Sequence, residues 1–261
     1  MSGFEVPIDR LCSFLFLFSR CSGIFIFTPF LGNALVPVPI RVLLTFVVSF
    51  IFSLAGPLPL PLSASLTIPS LVLGLGGELA VGMVIGFAAH AMFAGLLYAG
   101  HLLGFQMGLS YVNSVDPQTS NRSTTLSIYE NFLGMMLFLG FDGHHWFIEA
   151  VGKSLSLLPP YSVHFSGAFI QQTSRLVGKV FVIGLQFAAP LLAVLILTDV
   201  ILAFIGRSAP QVHILIIGFP LKVLVGISGL GLTLYFFPTA VRGIATRLFQ
   251  DMMGLLELMR A

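Results

Sequence analysis

The chain has 261 residues, of which 57% are hydrophobic and only 8% are charged, and its formal net charge is +2. Soluble domains carry about 25% charged residues, so this chain cannot cover its surface with polar groups, and water is excluded as its main solvent. The small net charge and the absence of a basic run give no indication of a nucleic-acid partner. The composition, with a mean hydropathy of +1.02, predicts an all-α, multi-helix membrane-type protein.

Six hydrophobic segments are candidate membrane helices, and all but the second have the roughly 20 residues that such a helix needs. In chain order they are 11–30, 42–54, 71–105, 128–151, 176–205 and 212–237. We therefore expect about six long hydrophobic helices that form helical hairpins. Charges recur every few residues from 239 to 261, which predicts an amphipathic surface helix at that end.

Several charged residues fall inside these apolar segments or at their edges. They are Arg20, Glu78, Lys179, Asp199 and Lys222. Each would cost at least about 2.5–3.5 kcal/mol if it were unpaired in hydrocarbon. They can pair across neighbouring helices or extend to the interface from helix ends. Alternatively, many of these helices pack on protein partners and contact little lipid.

The third segment carries glycines spaced four residues apart. Gly82 and Gly86 form one pair, and Gly100, Gly104 and Gly108 form two further pairs in register. Glycines at this spacing predict a flat helix face on which a second backbone can pack closely.

The stretch 100–125 begins as this glycine-spaced helix and becomes polar around Asp116 and Pro117. Pro117 has no backbone N–H and disfavours the α conformation at Asp116, so a helix should not run through it. In a chain this apolar, such a segment must be a solvent-exposed loop or lie in a cavity lined by protein.

Motifs for catalysis are missing from the sequence. It has no phosphate-binding G-x-x-x-x-G-K-[ST], no H-E-x-x-H and no G-x-S-x-G, so we predict neither an enzyme nor a cofactor. Asp142, His144 and His145 resemble a metal or acid–base cluster. However, adjacent histidines on a helix point about 100° apart, so we expect a turn with histidines at an interface and no metal site.

Two groups of motifs together resemble one known family. The first comprises GFQMGLS at 104–110, VDP at 115–117, LFL at 137–139 and GHH at 143–145; the second comprises RSAPQ at 207–211, GFPLK at 218–222 and Gly226. They resemble the flagellar biosynthetic proteins FliR, components of the type III export gate. At Val212 and His213 the family often has Met-Asn, so the chain departs from the pattern at that turn.

The resemblance implies a hetero-oligomeric helical complex with FliP-like and FliQ-like subunits, through which unfolded flagellar proteins leave the cytoplasm. An FlhB-like switch protein is a further implied partner, and the implied location is the bacterial inner membrane at the flagellar basal body. It also implies a FliP-like helical part at 1–165, which includes a pore-plug loop at 106–125. A FliQ-like helix pair with the amphipathic tail would follow at 166–261.

By the same resemblance, the segment after the glycine-spaced helix projects into the export pore as a plug. The implied plug residues are Gln106, Met107, Gly108, Leu109, Ser110, Tyr111, Val112, Asn113, Ser114, Val115, Asp116 and Pro117. The alternative is an ordinary interhelical loop at the membrane surface.

A second implied site is a docking surface for neighbouring subunits. Its residues are Arg207, Pro210, Gln211, Pro220 and Lys222. Arg207 suits the last turn of a helix, Pro210 suits the first turn of the next helix, and Pro220 is expected to kink that helix. The alternative is a hairpin corner that shapes only its own subunit.

The predicted function is a core subunit of the flagellar type III export gate. One alternative is a proton-coupled secondary transporter, which would need two matching halves and an essential buried carboxylate, Glu78 or Asp199. Another is a scaffold in the same complex with an inert plug.

Overall fold

The computed structural model describes residues 8–29, 32, 36–54, 67–109, 124–209, 211 and 213–260. Within these ranges the protein is all-α and contains eight helices. They are α1 (Ile8–Phe27), α2 (Val38–Leu54), α3 (Ile68–Gln106), α4 (Thr125–Gly140), α5 (Gly143–Leu157), α6 (Gly167–Ser208), α7 (Ile214–Thr233) and α8 (Phe237–Leu258).

The predicted count of about six helices is too low, because the segment 128–151 is two helices. The chain turns between α4 and α5 at Phe141 and Asp142, where Asp142 has a left-handed φ of 58°. Aspartate tolerates this conformation better than most residues. A run that reads as one apolar segment is therefore divided into helices of 16 and 15 residues.

Four helices in the described part are long and apolar enough to cross a membrane: α1, α3, α6 and α7. Helix α3 has 39 residues and α6 has 42, which correspond to lengths of about 58 and 63 Å. The hydrocarbon core of a bilayer is only about 30 Å thick. Each of these two helices is thus much longer than a single membrane crossing requires.

The described residues form two compact units. One takes its residues from Met1–Ala91, Asp142–Leu176 and Thr246–Ala261, and the other from Met92–Phe141 and Val177–Ala245. The second unit has a core of apolar side chains from α3, α4 and α6. Its buried members are Ala99, Leu103, Met107, Leu126, Ala188, Leu191 and Leu195.

The predicted amphipathic helix at the end of the chain is present as α8. Its buried side chains include Val241, Leu248 and Leu255, which recur at seven-residue intervals, whereas Arg247 and Glu257 are exposed. Spacing of this kind places the apolar side chains on one face of a helix.

Candidate functional site

We call residues 106–125, which the sequence predicts to form a plug, the plug segment. Its first residues leave α3 through a well-defined helix end. The N–H of Gly108 donates to the carbonyl of Phe105 at 3.0 Å, and the N–H of Leu109 donates to that of Gly104 at 2.9 Å. Gly108 has a φ of 79° and lies beyond the last residue of α3, so it is not on the glycine-spaced helix face where the sequence predicted it. This pair of bonds around a left-handed glycine is a Schellman motif, which stops α3 and turns the chain at the point where the predicted plug begins.

The chain returns from the plug segment against the same stretch of α3. The hydroxyl of Thr124 accepts from the N–H of Ser127 at 3.2 Å and so caps α4, and it also donates to the carbonyl of Gly100 at 3.3 Å. A Cβ atom added at Gly104 would lie 2.8 Å from the Thr124 hydroxyl oxygen, and one at Gly100 would meet the Ser127 backbone. We call Gly100, Gly104, Thr124 and Ser127 the loop base, because they hold both ends of the plug segment together.

A polar cluster links the start of the plug segment to α6 and α7. The Asp199 carboxylate accepts from Nε2 of Gln106 at 2.7 Å and forms an ion pair with Nζ of Lys222. The side chains of Lys222 and Asp199 are 24% and 38% exposed. We call Gln106, Asp199 and Lys222 the latch cluster. Its members Asp199 and Lys222 line a cavity of about 580 Å³, together with Met107, Gly108 and His213.

Met107 lies in the core of its unit. It is 1% exposed, and a Cβ atom at Gly226 would lie 2.5 Å from its sulfur. Gly226 therefore provides the space for this side chain, which links a glycine of the second motif group to the first residue after α3.

The remaining predicted plug and docking residues are distributed as follows. Ser110 to Pro117 lie outside the described residues, as does Pro210. Arg207 is in the last turn of α6, as predicted. Gln211 and Pro220 are exposed, and α7 continues through Pro220. Among the predicted docking residues that are described, Lys222 is the one with an ion-pair partner within the chain.

A second charged cluster holds the other unit together. The Arg20 guanidinium donates to the Glu78 carboxylate at 2.5 Å, to the Ser154 hydroxyl at 3.1 Å and to the Leu158 carbonyl at 2.8 Å. Both charged side chains are buried. The sequence placed Arg20 and Glu78 inside apolar segments, but the partners Ser154 and Leu158 carry no sequence signal.

Gly82 and Gly86 pack on α1 beside this cluster. A Cβ atom at Gly82 would meet the Arg20 carbonyl, and one at Gly86 would lie 2.8 Å from the Ile24 carbonyl. The two glycine pairs of α3 therefore serve different neighbours, since Gly100 and Gly104 face the start of α4.

Glu130, a buried carboxyl on α4, was not predicted from the sequence. It is 5% exposed, and its Oε2 has no hydrogen-bond partner. It lines a largely apolar cavity of about 410 Å³ together with Tyr129, Gln186 and Leu191. Burial raises the pKa of the Glu130 carboxyl from 4.5 to about 7, and α4 is not one of the four membrane-length helices.

We expect Glu130→Gln to remove a pH dependence of stability. Because the folded-state pKa is raised, the parent should lose stability as pH rises from about 4.5 through 7, by up to about 3 kcal/mol. The variant should match the parent near pH 5 and be more stable near pH 8, which unfolding in mixed detergent micelles can measure. Glu149→Gln, at an exposed carboxylate, is the control; an unchanged slope in Glu130→Gln would contradict the prediction.

Comparison with known proteins identifies the class to which this helical membrane-type fold belongs. The family "Bacterial export proteins, family 1" matches residues 11–248. The chain is 34% identical over 180 residues to the flagellar biosynthetic protein FliR of Pectobacterium carotovorum, covering 69% of this chain and 67% of that protein. It is 29% identical to FliR of Bacillus subtilis over 96% of this chain and 97% of that protein.

FliR of Caulobacter vibrioides is similar to the same extent, with 29% identity over 89% of this chain and 90% of that protein. The chain therefore belongs to the FliR family of flagellar biosynthetic proteins. It is a membrane protein of flagellar export.

Proposed function

We propose that this chain is a core subunit of the flagellar type III protein export gate, in which it forms part of the export pore and residues 106–125 plug that pore. The proposed partners are FliP-like and FliQ-like subunits, an FlhB-like switch protein and unfolded export substrates. Residues 1–165 would form the FliP-like part and 166–261 the FliQ-like part. The proposed location is the bacterial inner membrane at the flagellar basal body.

The observation that carries the plug proposal is the way in which the segment is attached. The loop base holds residue 124 against the last turns of α3, so the segment leaves and returns at one place. The latch cluster then joins the same end of α3 to α6 and α7 through one carboxylate. A loop fixed at its base by a few polar contacts can be displaced by a change of a few kcal/mol in the free-energy difference between its two positions.

The apolar surface of α7 supports assembly with other helices. Ile216, Leu224 and Leu232 are 70%, 65% and 74% exposed. Such a surface needs lipid or partner helices to cover it. The exposed Arg207 and Gln211, which precede α7 in the chain, are the proposed polar contacts for a neighbouring subunit.

The pairing of the two candidate carboxylates argues against a proton-coupled transporter. Glu78 is bonded to Arg20, and Asp199 is bonded to Lys222 and Gln106. Each carboxylate is therefore engaged by a cation of a neighbouring helix, which accounts for its place in an apolar segment without a role in proton transport.

We expect Asp199→Ala and deletion of 110–117 to increase ion leakage through the assembled complex. Loss of a hydrogen bond to a charged group costs about 1.5–3 kcal/mol, which would raise the open population about 10- to 150-fold. The measurement is conductance of planar bilayers containing the chain co-purified with FliP-like and FliQ-like subunits. Glu149→Ala, at an exposed acid, is the matched control.

Two results would count against the proposal. If the deletion variant assembles normally but leaks no more than the parent, the segment is not a plug. If the parent chain purifies without FliP-like and FliQ-like proteins from cells that make them, the gate assignment itself is wrong.

A further inference from the structure

The turn between α4 and α5 brings together three side chains of the kinds that bind transition metals. One ligand atom from each of Asp142, His144 and His145 lies within 4.8 Å of the others. Nδ1 of His145 lies 3.6 Å from Oδ1 of Asp142, and the two imidazole rings are 4.3 Å apart between centroids. The expectation that adjacent histidines diverge is therefore not met at this helix start, where all three ligand atoms approach one another.

These distances suit a small divalent ion. Nitrogen and oxygen ligands bind zinc at about 2.0–2.2 Å, which places two ligands of a tetrahedral site about 3.3 Å apart. The separation of 3.6 Å between His145 and Asp142 is close to that value. Small side-chain rotations would bring the third ligand to the same distance.

The ligand atoms are also available. Asp142 is the N-cap residue of α5 but makes no capping hydrogen bond with its side chain. Nδ1 of His144 is buried and has no hydrogen-bond partner, an arrangement that costs about 1–3 kcal/mol. A metal ion bound to Nδ1 would remove much of this cost.

The surroundings of these three side chains are partly apolar and partly exposed to solvent. His144 lines an apolar cavity of about 290 Å³ with Phe147, Ile148 and Val151, and an apolar shell of this kind strengthens metal coordination. Asp142 and His145 are exposed, so an ion can enter from solvent. The Asp142 carboxylate offsets the partial positive charge at the helix N-terminus.

We propose that Asp142, His144 and His145 form a binding site for a divalent transition metal, with Zn²⁺ as the occupant. Two imidazoles and one carboxylate are the ligand types that zinc takes in proteins, and magnesium and calcium prefer oxygen alone. Three protein ligands leave the fourth tetrahedral position to water or to a side chain of a partner.

The test uses the full chain in detergent, carrying a purification tag without histidines. Co²⁺ is the spectroscopic probe: the parent should develop the visible absorption of tetrahedral cobalt, and Zn²⁺ should displace it. Asp142→Asn and His145→Ala should each weaken Zn²⁺ affinity at least about 10- to 100-fold, and His144→Ala with His145→Ala should abolish the signal. Zn²⁺ should raise the melting temperature of the parent but not of the double variant.

His164→Ala is the matched control, because this histidine lies outside the cluster. It should bind Zn²⁺ as the parent does. The proposal is overturned if the parent binds no more tightly than the double variant, or if His164→Ala loses as much affinity as His145→Ala. Asp142→Asn keeps the size of the side chain, so loss of affinity in a variant with the parent's melting temperature reports coordination and not misfolding.

Discussion

Replacing Arg20 by methionine is expected to destabilise the protein by about 3–5 kcal/mol, because it leaves Glu78 as a buried charge without a counter-ion. The guanidinium is fully buried and donates to Glu78, Ser154 and Leu158. Its removal therefore also leaves the Leu158 carbonyl without this donor. Unfolding in mixed detergent micelles measures the change, and the amount of chain accumulating in membranes should fall with it.

A double variant separates the charge effect from lost packing. Arg20→Met combined with Glu78→Met should recover most of the stability, since apolar side chains can replace a buried ion pair at little cost. Lys153→Met is the control, because Lys153 and Glu149 form an exposed pair, for which a change below about 1 kcal/mol is expected. If the double variant is as unstable as the single one, the energetic importance of the ion pair is refuted.

The second large effect is expected for Gly82→Ala, at about 3 kcal/mol or more. A Cβ atom at this position would overlap the Arg20 carbonyl oxygen and would lie 3.0 Å from Cα of Gly23. Both are backbone atoms, which cannot rotate away as a side chain can, so α1 would have to move off α3. Overpacking that forces the backbone to shift typically costs about 1–3 kcal/mol, and occasionally more.

Gly76 provides the matched control on the same helix. Nothing lies within 4 Å of a Cβ atom placed there, so Gly76→Ala should stabilise α3 by about 0.5–1 kcal/mol through helix propensity alone. Thermal unfolding of both variants and the parent in one detergent makes the comparison. Equal melting temperatures for Gly82→Ala and the parent would show that α1 does not pack closely at Gly82.

Several features follow from short stretches of sequence and were predicted from them. The apolar segment predicted at 71–105 ends within one residue of the end of α3 at Gln106, Arg207 lies in the last turn of α6, and α8 has the apolar face that its periodicity indicates. These signals depend on residues within one or two helical turns. Local backbone geometry is therefore enough to reveal them.

The partners of the charged residues could be found only in the tertiary structure. Arg20 is hydrogen-bonded to Glu78, which is 58 residues away in the sequence, and to Ser154, which is 134 residues away. Gln106 is hydrogen-bonded to Asp199 at a separation of 93 residues. Periodicity places each residue on a face of its own helix, but it does not indicate which helix that face meets. The unpaired carboxyl of Glu130 was missed for the same reason, since its environment is made by α6, α7 and α8.

The sequence by itself determined the all-α membrane-type class, the family and the glycine-spaced helix that precedes the plug segment, because composition and local motifs carry that information. Only the tertiary structure decided that Asp142 divides an apolar run into two helices and gathers Asp142, His144 and His145. The tertiary structure also decided that the Asp199 carboxylate accepts a hydrogen bond from Gln106 and forms an ion pair with Lys222. The turn depends on the left-handed backbone at Asp142, and the Asp199 contacts depend on side chains from distant parts of the chain. Spacing along a single helix specifies neither.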